Sequence, residues 1–95
     1  MIRIVTMHFR VETCDTFQEL FRKSQPLIRA FPGCSHVELL QDISDRCRFF
    51  TYSHWENEDA LNSYRASELF KTTWASAKAL FDEKPAAWSV EQASV

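Results

Sequence analysis

The stretch "CRFFTYSHW" (Cys47–Trp55) limits the possible folds more than any other part of the chain. In a strand, successive side chains point to opposite faces. Phe50, Tyr52 and His54 therefore fall on one side, and Phe49, Thr51, Ser53 and Trp55 on the other. Large aromatic groups on both faces require a sheet that is covered on both sides. A chain of 95 residues is one domain. With 45% hydrophobic residues it can build one core, but that leaves the second face of such a strand in need of a partner.

The neighbouring segments predict what packs on the first face. Residues 2–11, "IRIVTMHFRV", alternate as a strand, with Val5, Met7, Phe9 and Val11 on one face and Ile2, Ile4, Thr6 and His8 on the other. "TCDTFQELFRKSQPLIRAFPG" reads as a helix capped by Asp15 with Gln18 in capping-box position. Its apolar face carries Phe17, Leu20, Phe21, Ser24, Leu27, Ile28 and Phe31. Pro26 is expected to kink or split this helix, with Ser24 as a second cap, and Pro32-Gly33 to stop it.

"SHVELLQD" is a second strand, and "DISDR" a hairpin connection into Cys47–Trp55. "ENEDALNSYRA" is a helix capped by Asn57, followed by a helix over "ELFKTTWASAKALFDEK" capped by Ser67 and ended by Pro85. In that helix Phe70, Thr73, Trp74, Ala77, Leu80 and Phe81 line one face. "AAWSVEQ" is the last strand, with Trp88 and Val90 on one side.

The order is β-α-β-β-α-β, with the second helical segment split at Ser67. This predicts an α+β, ferredoxin-like antiparallel sheet over residues 1–92, with residues 93–95 as a loose tail. Helices on one side leave the other sheet face bare and too apolar for water. A second copy of the chain meeting it about a two-fold axis gives a homodimer through the sheet.

Several function classes are excluded by composition. Net charge is −2 with acids and bases mixed and no basic stripe, so nucleic acid is not an expected partner. No apolar tract approaches the roughly 18 residues of a membrane helix, so no membrane partner is expected. The alternating start "MIRIVTMHFRVE" does not look like a signal peptide. Cys14, Cys34 and Cys47 are odd in number and widely spaced, which reads as reduced thiols in a cytoplasmic protein.

"FPGC" (Phe31–Cys34), "FFTYSHW" (Phe49–Trp55), "ALNSYRAS" (Ala60–Ser67) and Phe70 together resemble the antibiotic biosynthesis monooxygenase (ABM) domain, over roughly residues 2–92. The resemblance implies a dimeric α+β barrel, with a pocket between the helices and one sheet face and the dimer on the other. It also implies a choice among cofactor-free oxygenases of polyketide quinones, quinol oxygenases, haem-degrading monooxygenases, a signalling-molecule-processing protein and members of unknown activity. The chain departs from the family at Ser53, often Glu, and at Tyr64, often His. The haem-degrading branch needs His where Trp74 stands, Asn where Met7 stands and Trp where Tyr64 stands, which argues against haem degradation.

No metal set is visible, since His8, His36 and His54 lie on three strands without HxH or HExxH spacing. One glycine cannot build a phosphate loop, so no flavin or nicotinamide fingerprint exists and no cofactor is expected. The expected function is a cofactor-independent monooxygenase that oxidises a small aromatic or quinol-type substrate with O₂. The alternative is a non-catalytic small-molecule binding or sensing module on the same dimeric scaffold.

Oxygenation without a cofactor needs a base, a dry aromatic slot and donors for the developing anion. His8 and Tyr64 are the candidate catalytic residues. His54, Tyr52, Trp74 and Phe70 are the candidate substrate pocket. Each has an ordinary structural alternative: His8 as a partly exposed strand end, His54 as an interface or hydrogen-bonded core histidine, and Tyr64 and Trp74 as core packing.

Overall fold

The computed structural model describes all residues, Met1–Val95. Four strands, β1 (Ile2–His8), β2 (Cys34–Asp42), β3 (Asp45–Trp55) and β4 (Ala86–Val90), form one antiparallel sheet in the order β2-β3-β1-β4. Three helices complete the chain: α1 (Cys14–Arg29), α2 (Glu58–Arg65) and α3 (Glu68–Lys78). This is the ferredoxin-like α+β arrangement expected from the element order.

Local signals position the helices. Asn57 Oδ1 accepts from the Ala60 N–H at 2.9 Å, and Ser67 Oγ accepts from the Phe70 N–H at 3.2 Å, so both predicted caps are made. Asp15 is not the cap of α1. The chain enters through a 3-10 turn at Val11–Thr13, and the helix starts at Cys14. Nor does Pro26 split it: α1 runs unbroken to Arg29, and the Ser24 hydroxyl donates to the Leu20 carbonyl at 2.8 Å. Pro26 is exposed, while Phe21, Ser24 and Ile28 are buried on the opposite stripe. Packing on that stripe holds the helix across the one hydrogen bond that proline removes.

Gly33 turns the chain from α1 into β2 with φ +88°, and a Cβ there would stand 2.5 Å from the Ala60 Cβ. Backbone geometry and contact with α2 both require glycine. At the other end of β2, Asp42 Oδ1 accepts from the Ser44 N–H at 2.7 Å, closing the hairpin into β3.

The sheet alternation sorts the two aromatic faces of β3. Cys47, Phe49, Ser53 and Trp55 are buried beneath the helices with Met7, Phe9 and Val37. Phe9 stacks on Phe17 with ring centroids 4.1 Å apart and meets Phe49 edge-on at 6.0 Å. Ile2, Ile4, Phe50, Tyr52 and His54 lie on the opposite face, only half-buried, in register with the exposed Trp88 and Val90 of β4. No helix of the chain covers that face.

The three cysteines are not all reduced thiols. Cys14 and Cys47 are joined in a disulfide with Cα atoms 5.5 Å apart, and only Cys34 is a free, buried thiol. The helix start at Cys14 lies directly over the beginning of β3, a proximity that a separation of 33 residues does not reveal. The expectation of a cytoplasmic protein rested partly on reduced thiols, and that support is gone. No helix is long and apolar enough to cross a membrane.

Candidate functional site

Between the inner sheet face and the helices lies a cavity of about 290 Å³. β1 contributes Arg3, Val5 and Met7 to its floor, and β3 contributes Thr51, Ser53 and Trp55. From above, α1 supplies Phe17, Phe21 and Ile28, α2 supplies Leu61, Tyr64 and Arg65, and α3 supplies Phe70, Thr73, Trp74 and Ala77. The exposed Arg65, Ala86 and Ala87 mark its mouth. The volume sits at the low end of the range for small-molecule sites, roughly 300–1,000 Å³.

The aromatic wall is continuous. Tyr64 stacks on Trp55 with centroids 5.0 Å apart and meets Phe70 edge-on at 5.3 Å. Phe70 in turn lies parallel to Trp74 at 5.8 Å. The wall follows from helical spacing: Phe70, Thr73, Trp74 and Ala77 form one stripe of α3 turned towards the sheet. Such flat, polarisable surfaces suit a planar aromatic molecule.

The polar side chains of the cavity are hydroxyls, the Trp55 indole and two arginines. Trp55 Nε1 donates to Ser53 Oγ at 3.0 Å, and Ser53 Oγ donates to the Arg3 carbonyl at 3.4 Å. Burial, with a smaller contribution from Cys34, pushes the Tyr64 phenol up to about 12. At neutral pH Tyr64 is therefore protonated: it can donate a hydrogen bond but cannot act as a base. The lining holds no carboxylate, imidazole or thiol.

The sequence model of the antibiotic biosynthesis monooxygenase family matches residues 1–77. The chain belongs to this family.

Several solved structures superpose along nearly the whole chain. An antibiotic biosynthesis monooxygenase crystal structure is 20% identical, with a TM-score of 0.90 over 99% of this chain and 100% of its own. PA3566 from Pseudomonas aeruginosa is 20% identical, with a TM-score of 0.85 over 98% of this chain and 93% of its own. Rv0793 from Mycobacterium tuberculosis is 18% identical, with a TM-score of 0.84 over 98% and 97%. At these identities the likeness establishes the fold. Among curated proteins, none matches this sequence.

Of the residues singled out from sequence, Tyr64, Phe70 and Trp74 come together in the ABM cavity. Tyr52 and His54 do not. Ser53 and Trp55 face the helices, so the pleat turns Tyr52 and His54 to the outer sheet face, where His54 meets Tyr52 at 5.2 Å and His36 at 5.8 Å.

His8 is not a cavity group either. It is the last residue of β1, and its ring is held at both nitrogens: Nδ1 lies 2.6 Å from Asp82 and Nε2 2.8 Å from Asp45. The hydrogen bond to Asp82 raises its pKa most, and Asp45 adds to this. Glu83 lies 3.4 Å from Nδ1 and also pairs with Arg48 at 2.9 Å. His8, Asp82 and Glu83 bring three potential metal donors within 4.8 Å of one another, a grouping that strand spacing could not show. As they stand, these groups satisfy one another and brace the connection from α3 to β4 against β1.

Arg3 and Arg65 were not anticipated as site residues. A signal for Arg3 was present, since it alternates in phase with Val5 and Met7 and so belongs to the helix-facing side of β1.

Proposed function

We propose that the chain is a cofactor-independent monooxygenase acting on a small aromatic or quinol-type substrate with O₂. The substrate ring lies against Phe70 and Trp74, and Tyr64 donates to the oxygen on which negative charge develops. Family membership and a monooxygenase-named structural neighbour support the reaction class. The observation that carries it is the continuous aromatic wall with the protonated Tyr64 phenol set in it as a donor. An ionised phenol or hydroquinone gives up electrons readily, and fixed donors stabilise the charge that forms. For a ring methylene beside such a phenol, two C–H bonds break, one oxygen atom of O₂ becomes the new carbonyl and the other leaves as water. The substrate itself supplies the electrons.

The working unit in this reading is a homodimer. A second copy covers the outer face of Ile4, Phe50, Tyr52 and Trp88, leaving the cavity of each protomer on the helix side. Small aromatic molecules are the partner; nucleic acid and membrane are not.

One observation favours a second reading, a binding or sensing module: no side chain lining the cavity can accept a proton near neutral pH. Oxygen uptake decides between the two. Metal-free protein with a panel of hydroquinones and anthrones is expected to consume O₂ above the uncatalysed rate, and Trp74→Ala to lose that activity. Ligand-dependent thermal stabilisation without oxygen uptake selects the binding module.

A further inference from the structure

Arg3 and Arg65 stand at the cavity without an acidic partner. Arg10, Arg22, Arg46 and Arg48 each pair with a carboxylate, and Arg29 donates to the Cys34 carbonyl. Arg3 makes one side-chain hydrogen bond, from Nη1 to the Ser89 hydroxyl at 3.0 Å, and is half-buried in the cavity floor. Arg65 ends α2 at the cavity mouth. Burial lowers the pKa of Arg3 most, Arg65 lowers it further, and Glu58 opposes them with a smaller effect. Arg65 outweighs Glu58 at Arg3, and neither guanidinium forms an ion pair with a carboxylate.

We propose that the cavity takes its aromatic ligand as an anion, with an ionised phenolic oxygen seated against the Arg3 and Arg65 guanidinium groups. This rests on the reading of the cavity as the aromatic site and specifies the substrate class. It also accounts for the missing base. A cavity without carboxylate, imidazole or thiol cannot take up the phenol proton. Two cations can still favour its loss: the O–H bond breaks, the proton passes to water at the mouth, and the electron pair stays on the oxygen beside the arginines. Apolar burial alone acts in the opposite direction, as it does on Tyr64.

That opposition in sign supplies the test. Nitrophenol changes absorbance on ionisation, so its titration can be followed while bound to excess protein. Bound nitrophenol is expected to ionise at least about one pH unit below the free compound, a tenfold change in ionisation equilibrium. In the Arg3→Gln/Arg65→Gln protein that downward shift should be lost, because burial then opposes ionisation with only the Tyr64 donor left to favour it. Nitroanisole, the methyl ether that cannot ionise, should bind wild-type protein about tenfold more weakly than nitrophenol at neutral pH. Rising salt should weaken nitrophenol binding while leaving nitroanisole unaffected, a comparison that needs no variant. Ionisation at or above the free value in wild type, or an unchanged downward shift in the double variant, overturns the proposal. These readouts need no turnover. A protein that lowers the nitrophenol pKa but never consumes O₂ keeps the anion site and loses the oxygenase reading. One that consumes O₂ without the shift does the reverse.

Discussion

The Tyr64 ring stacks on Trp55 with centroids 5.0 Å apart and planes inclined by 26°. The stack fixes the phenol at the cavity wall, and burial keeps its proton on. Packing and donation can therefore be separated experimentally. Tyr64→Phe keeps the stack and removes the donor, so thermal melting should barely change. Oxygen uptake with an active substrate should fall by roughly 100-fold, the scale of losing one preorganised donor to a developing anion. Equal uptake by the two proteins would assign Tyr64 to packing alone.

His8 provides a pH-dependent contribution to stability. Its folded pKa is raised, chiefly by Asp82, so the stabilisation is fully present below the ordinary imidazole value of about 6.5 and is lost as pH rises through the folded value. Asp45 has the opposite sign. Its carboxyl is held low, first by the Cys47 N–H and then by His8, so its contribution is present above the ordinary carboxylate range of about 4 and is lost as pH falls. Melting temperature should thus decline on the alkaline side of about pH 6.5. His8→Gln should flatten that decline, as measured by scanning calorimetry across buffers. Oxygen uptake at a fixed pH is expected to survive His8→Gln, because the imidazole lies outside the cavity.

The Cys14–Cys47 bond closes a loop with a separation of 33 residues. On chain-entropy grounds it should contribute about 3–4 kcal/mol. Reducing agent, or the Cys14→Ala/Cys47→Ala pair, should move the denaturant midpoint down accordingly. Coincident unfolding curves with and without reductant would show that the bond contributes nothing.

The outer sheet face should govern association. Trp88 is about half exposed beside half-buried Ile4 and Tyr52, in a patch that no helix of the chain covers. Sedimentation at micromolar concentration is expected to give a dimer, and Trp88→Glu a monomer. Monomeric wild-type protein at that concentration would remove the second copy from the account.

Much of the fold was legible because its signals are local. Strand alternation, the Asn57 and Ser67 caps and Gly33 act within a few residues of themselves. Pro26 misled because the burial that holds α1 straight comes from a distant sheet. The candidate site was legible only in part. The α3 stripe placed Phe70 and Trp74 in the cavity, but both faces of β3 are aromatic, and only the packed helices decide that Trp55 faces in while Tyr52 and His54 face out. His8 had suitable chemistry but ends its strand beside Asp45 and Asp82, a meeting of three distant segments. Arg3 was the missed clue, a charge in step with Val5 and Met7.

Isotope-labelled O₂ tests the central claim most directly. Protein freed of metals and cofactors is given a substrate from the active part of the panel under heavy-isotope oxygen, and the product is weighed by mass spectrometry. One labelled oxygen atom per product molecule, formed at a rate that depends on Tyr64, is the expected result. A product carrying no label, or label appearing only after a metal or flavin is added back, would contradict it.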